Sequence, residues 1–155
     1  MIDEKDREIL SILVENAGAS KADIARQVGL AASVVSDRIR RLEAAGVIEG
    51  YELRLNAALL GKPLLAFVFV TDVKPSKGFD TADALSRVRG LEELHKIAGD
   101  DCYLLKVRAA DTDELNDIIE SQVNTIPSVS RVRTTIVLKP VAENPPVSGF
   151  SIAEL

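Results

Sequence analysis

Cysteine occurs once in this chain of 155 residues, as Cys102, and histidine once, as His95. A single cysteine excludes an intramolecular disulfide and suits a reducing cytoplasm. One cysteine and one histidine are too few soft ligands for a structural zinc site, so no metal is expected. No apolar run approaches the ~18 residues needed to span a bilayer, so no membrane partner is expected. The longest, Pro63 to Val70, reads as a buried strand. The opening residues MIDEKDREIL are too charged for a secretory signal. The nine glycines are scattered, with no glycine-rich phosphate loop, and nothing calls for a cofactor. Basic charge is short as well: the formal net charge is −5. Residues 1–56 hold 8 Lys and Arg against 10 Asp and Glu, and the remainder 11 against 14. What the chain does have is apolar side chains, 46% of the total, enough for a packed core.

The N-terminal third reads as a helix-turn-helix. Asp3 to Asn16 makes a first helix, with Ile9, Leu10, Ile12 and Leu13 able to cover a neighbour. Ser20 can cap a short second helix by accepting from a free backbone N–H of its first turn. That helix presents Ile24, Ala25 and Val28 on one face. Gly29 permits a positive φ and a sharp turn, and Leu30 follows as a core plug. A third helix spans about Ala32 to Ala45, with Val35, Ile39 and Leu42 as its buried stripe and Gly46 as its stop. Its other face bears Ser33, Val34, Ser36, Asp37, Arg38, Arg40 and Arg41. Three arginines against Asp37 make this face locally positive in an acidic chain. A short helix, a glycine turn and an arginine-bearing helix can place that helix in a DNA major groove. After Gly46 the apolar period becomes two, at Val47, Tyr51, Leu53 and Leu55, which predicts the first strand of a wing. Phosphate contacts supply most non-specific affinity, so one copy of so weakly charged a unit is expected to bind double-stranded DNA weakly. Tight binding then requires several copies acting together.

The second half alternates strands and helices. Leu64 to Val73 is a strand with Leu65, Phe67 and Phe69 on one face and Leu64, Ala66, Val68 and Val70 on the other. Residues 77–90 read as a short helix ended by Gly90, and Leu91 to Ala98 as a second strand. Gly99, Asp100 and Asp101 suit a tight turn. Tyr103 to Ala109 is a third strand. Thr112 can cap a helix with the stripe Leu115, Ile118, Ile119 and Val123, stopped by Pro127. Val129 to Lys139 is a fourth strand, closed by Pro140. The order β-α-β-β-α-β is the ferredoxin-like split unit. An α+β protein is expected: a winged helix-turn-helix over 1–56, a linker over 57–63, a ferredoxin-like domain over 64–140 and a tail over 141–155, with a short extended piece near Phe150 to Ile152. Two helices cover one face of such a sheet. The first strand is apolar on both faces, so the other face is expected to meet a second copy of the chain as a two-fold dimer.

Four runs in order resemble the Lrp/AsnC, or feast/famine, family: Asp3-x-x-Asp6-x-x-Ile9-Leu10; Ile24-Ala25-x-x-Val28-Gly29-Leu30; Arg38-Ile39-Arg40-Arg41-Leu42-Glu43-x-x-Gly46-Val47-Ile48-x-Gly50-Tyr51; and Gly99-Asp100-x-x-Tyr103. The resemblance covers about residues 1–139. It implies a cytoplasmic, nucleoid-associated transcription regulator that binds DNA through the winged domain and dimerises through the C-terminal sheet. It also implies assembly as an octamer of four dimers and an amino-acid effector at the C-terminal domain. By family position the effector residues are Gly99, Asp100, Asp101, Cys102, Tyr103, Asn124, Thr134 and Thr135. Cys102 stands where the family commonly has a second aspartate, and Asp101 is the neighbouring substitute. Ala31-Ala32 replaces a common Ser-Pro, so Ser33 is expected to take over the helix cap.

Two rival readings remain at this point. An enzyme lacks support: Cys102 lies beside acidic residues that disfavour a thiolate, and His95 sits on a strand with no Ser–His–Asp spacing around it. No catalytic residue is assigned. An architectural DNA-binding protein without an effector would use the same residues, and is distinguished by whether any small molecule alters DNA affinity or assembly.

Overall fold

The computed structural model describes residues 2–73, 80–141 and 143. Two compact units emerge, one running up to Arg54 and one from Leu55 to Val141. The expected tail from residue 144 onward, with its extended piece, and the expected helix start at 77–79 lie outside the described residues.

The first unit contains α1 (Glu4–Glu15), α2 (Lys21–Val28) and α3 (Ala32–Ala44). A reciprocal capping box opens α1: the Asp6 N–H donates to Asp3 Oδ1 at 2.9 Å, and the Asp3 N–H donates to Asp6 Oδ2 at 3.1 Å. Ser20 caps α2, and Gly29 ends it with φ +69°. Ile9, Leu13, Ile24, Ala25, Val28, Val35 and Ile39 close one core, with Ile12, Leu30 and Ile48 against it. Helix α3 departs from expectation at its start. Ala31 is the cap position and offers no side-chain hydrogen bond, so Ser33 lies inside the helix and caps nothing.

The expected wing strand does not form. No strand lies among the described residues 47–63, and Val47, Tyr51, Leu53 and Leu55 are exposed. Alternation makes a strand only when another backbone runs alongside to take its N–H and C=O groups, and no described segment of this unit does so. Tyr51 instead donates its hydroxyl to Glu43 Oε1 at 2.9 Å.

The second unit holds β1 (Leu64–Asp72), α4 (Thr81–Leu85), β2 (Leu91–Lys96), β3 (Tyr103–Ala109), α5 (Thr112–Ile118) and β4 (Val129–Val137). The sheet order β2-β3-β1-β4, antiparallel throughout, is the ferredoxin-like arrangement. Ala66, Val68 and Val70 of β1 and Leu105 and Val107 of β3 pack with Leu85, Leu115, Ile118 and Val123 from the helical layer. Three details differ from the sequence reading. Helix α4 spans only Thr81–Leu85, because Asp80 caps it and the chain then turns to Gly90. Asp111, not Thr112, caps α5, accepting the Glu114 N–H at 2.8 Å. The last turn of that helix widens to π geometry over Ile119–Val123, and the Asn124 N–H reaches Ile119 O at 2.8 Å. Lys62 in the expected linker donates to both oxygens of Glu114, at 2.6 and 2.7 Å, tying that end to α5.

The sheet face away from the helices is less apolar than β1 suggests. Phe67 and Phe69 are half-buried there. On one side, Lys106 and Arg108 pair with Glu93 and Glu92 at 3.2 and 2.9 Å. On the other, the Arg133 guanidinium lies 3.8 Å from the centre of the Phe69 ring. The face is thus an aromatic stripe flanked by β2–β3 ion pairs on one side and by the Arg133 guanidinium on the other.

Candidate functional site

Helix α3 presents its polar residues because Val35, Ile39 and Leu42 bury the opposite stripe. Ser33, Val34, Asp37, Arg40 and Arg41 are exposed, and Ser36 and Arg38 half-exposed. Val34, Asp37, Arg38 and Arg41 line an open recess of about 270 Å³ on this face. At the start of α3 the cap residue Ala31 offers the first N–H groups no side-chain acceptor. Such a helix start carries partial positive charge and can receive a phosphate oxygen.

The three arginines are not equivalent. Arg40 is 74% exposed, and its ion pair among the described residues is a 3.4 Å contact to Asp37. Arg38 Nη1 donates to Asp3 Oδ2 at 2.6 Å and to Asp6 Oδ1 at 2.8 Å. Arg41 Nη2 donates to Asp6 Oδ2 at 2.6 Å while 58% of its side chain stays exposed. The Asp6 carboxylate has no exposed surface. The hydrogen bond from Arg38, and then that from the Asp6 backbone, hold the Asp3 carboxyl below the ordinary aspartate range. Sequence reasoning missed this α1–α3 clamp. Its trace is the Asp3-x-x-Asp6 spacing, which reads as a helix cap and hides the second role of each carboxylate. Lys21, at the start of α2, was missed as well; its Nζ donates to Ser36 Oγ at 3.1 Å.

The turn after β2 carries the second candidate set. Gly99 and Asp100 are exposed. Asp101 is 8% exposed and fully engaged. It accepts from Arg133 at 3.0 Å, Arg131 at 3.2 Å and Thr71 Oγ1 at 3.1 Å. The Arg133 hydrogen bond, aided by Thr71 and opposed by burial, lowers its pKa below the ordinary aspartate value. The Cys102 N–H donates to Val70 O at 2.9 Å, and its thiol is half-buried. Tyr103 is buried, and burial pushes its phenol pKa up. Asn124 is exposed and donates to Glu120 Oε1 at 3.1 Å. Thr134 pairs with Val68 and Thr135 with Phe67, so the two threonines lie on opposite faces of β4. The fold therefore gathers the turn residues but divides Thr134 from Thr135. Among the described residues no group of three His, Cys, Asp or Glu could hold a metal ion, and no helix is long and apolar enough to cross a membrane.

A three-helix unit with an exposed arginine-bearing third helix, followed by a ferredoxin-like unit, defines a helix-turn-helix regulator class. Comparison with known proteins agrees. A family model for winged helix-turn-helix DNA-binding segments matches residues 2–49, and one for the Lrp/AsnC ligand-binding domain matches residues 65–147. The chain is 35% identical over 139 residues to the HTH-type transcriptional regulator LrpA of Pyrococcus horikoshii, covering 90% of this chain and 98% of that one. It is 35% identical over 144 residues to the leucine-responsive regulatory protein of Haemophilus influenzae, covering 92% and 87%. A solved structure of a feast or famine regulatory protein from Mycobacterium tuberculosis, complexed with L-methionine, superimposes with a TM-score of 0.85. The two share 34% identity over 92% of this chain and 96% of the other. The chain belongs to the Lrp/AsnC family and is a DNA-binding transcriptional regulator.

Proposed function

We propose that α3 is the recognition helix of a sequence-specific regulator and that a small amino acid bound at the second unit modulates it. The exposed arginine-bearing face of α3, set outward by the buried Val35, Ile39 and Leu42, carries the DNA half of this reading. Ser33, Val34, Ser36, Asp37, Arg40 and Arg41 form the contacting face, and Arg38 holds that face on α1. Residues 1–56 act as the DNA-binding part, 57–63 as linker, 64–140 as effector and assembly part, and 141–155 as tail. The test compares Arg40→Ala with Arg38→Ala. Arg40→Ala leaves stability within about 0.5 kcal/mol, because its ion pair is exposed. If Arg40 meets a phosphate, its removal lowers the salt slope of DNA binding by roughly 0.9. Arg38→Ala weakens folding as well, because buried Asp6 keeps only one guanidinium. Unchanged DNA affinity and salt slope in a folded Arg40→Ala, Arg41→Ala double variant would remove α3 as the DNA-reading element.

The effector half rests on the turn and on the L-methionine complex of the mycobacterial relative. Gly99 to Tyr103, Asn124, Thr134 and Thr135 are its proposed residues. Asp101 is already committed to two arginines. Exposed Asp100 is therefore the better partner for an α-ammonium, and backbone N–H groups of the turn suit the α-carboxylate. Thr134 and Thr135 face opposite ways, so one pocket uses both only if two copies of the chain contribute. Separately from those threonines, half-buried Phe67 and Phe69 on the open sheet face support a dimer through the sheet, and membership of the family supports four dimers as an octamer in a cytoplasmic protein associated with the nucleoid. A thermal-shift screen of the twenty amino acids tests the effector. No shift at millimolar concentration favours the architectural reading, for which the engaged Asp101 and the Cys102 replacement already speak. Sedimentation of the full chain tests the dimer, and a monomer at micromolar concentration refutes it. We read the protein as a regulator without catalytic residues.

A further inference from the structure

We infer that Asp6 is a specificity-setting positioning residue: from α1 it holds Arg38 and Arg41 of α3 in fixed directions and cancels charge that would otherwise bind any DNA. This rests on the reading of α3 as the DNA-contacting helix. Asp6 touches no DNA in it, since its carboxylate has no exposed surface. Its two oxygens are divided between the arginines, Oδ1 accepting from Arg38 at 2.8 Å and Oδ2 from Arg41 at 2.6 Å. Oδ2 also accepts the Asp3 N–H at 3.1 Å, which locks the carboxylate to the first turn of α1. Asp3 adds a second carboxylate to Arg38 at 2.6 Å. Neither arginine can swing away without leaving a buried carboxylate short of a partner.

The charge count gives the functional consequence. Arg38, Arg40 and Arg41 face Asp37 on their own helix, and Asp3 and Asp6 arrive from α1. The group of six is neutral, although α3 alone is positive. Non-specific binding follows cationic charge presented to phosphates, whereas sequence reading follows donors held in one geometry. The clamp therefore trades general attraction for directed contact. Arg41 shows both sides: one guanidinium nitrogen is held by Asp6, and the exposed remainder lines the recess beside Val34 and Asp37.

The test uses the full chain with two duplexes of equal length, one selected by the parent protein from a random pool and one of random sequence. Affinities are measured across a salt series. Asp6→Asn keeps the size of the side chain and an acceptor for the Asp3 N–H but removes the charge, freeing Arg41 for one more phosphate. Random-duplex affinity is expected to rise, on the order of eightfold at 0.1 M salt, with a slope steeper by about 0.9. The ratio of selected to random affinity is expected to fall. Asp3→Asn, which retains a good helix cap, moves both quantities the same way by less, and decides the matter if Asp6→Asn fails to fold. A merely structural role for Asp6 would weaken binding to both duplexes in parallel, and an unchanged affinity ratio in folded variants overturns the inference. If the parent protein binds neither duplex, the recognition-helix reading falls and takes this inference with it.

Discussion

Replacing Gly90 by alanine gives the sharpest test of how the second unit is built. Gly90 has φ +74°, and an added methyl would press into the carbonyl oxygen of Arg108. The Arg108 carbonyl carbon would stand 3.3 Å away, so backbone must move to admit it. The movement also strains the bond from the Arg108 N–H to Gly90 O, now 2.8 Å. Gly61, in the same unit, supplies the control. Its φ is +75°, nearly the same, and nothing lies within 4 Å of the added atom. Gly61→Ala therefore carries only the left-handed backbone cost, roughly 1–2 kcal/mol. Gly90→Ala adds an overpacking cost of about 1–3 kcal/mol and a weakened hydrogen bond of about 1 kcal/mol. The sum is roughly 3–6 kcal/mol for Gly90→Ala. Equilibrium urea unfolding followed by circular dichroism measures both. Equal losses in the two variants would show that the close approach of Gly90 to β3 is not a real constraint. The functional stake is the start of β2, which leads directly to the Gly99 turn.

Asp101 and Glu114 have pKa values lowered in the folded protein, by the Arg133 hydrogen bond and the Lys62 hydrogen bond respectively. A lowered folded pKa means stability present above the unfolded carboxylate value and lost as pH falls through the folded one. The thermal midpoint should drop below about pH 4, and Asp101→Asn should flatten that acid limb; an unchanged limb would show that the Arg131 and Arg133 pairing adds nothing. For α5, Asp111→Ala should cost about 1 kcal/mol through loss of the cap, with Thr112→Ala close to neutral. The reverse order would return the cap to Thr112. Truncating fully buried Leu105 to alanine should cost about 2–5 kcal/mol, and a loss below 1 kcal/mol would mean that β3 is not central to the core.

Local pattern was enough for α1 to α3 and for the β-α-β-β-α-β order. Helical and strand periods, with Gly29, Gly90 and the Gly99 turn, are written into neighbouring residues and act over a few positions. The Val35, Ile39 and Leu42 stripe marked the buried side of α3, and with it the exposed side, before any contact was known. Tertiary structure decided everything that depended on residues far apart. Arg41 meets Asp6 across 35 positions and Arg38 meets it across 32, so a row of arginines that reads as free turned out half-engaged. Asp101, a plausible ligand for an ammonium when read beside Cys102, is held by Arg131 and Arg133 from 30 and 32 positions away. The alternation from Val47 to Leu55 met no pairing backbone among the described residues of its unit, and so made no strand. Periodicity reports which side of a segment is apolar; only the folded chain decides what that side meets, because ion pairs and β-ladders depend on partners brought together in space.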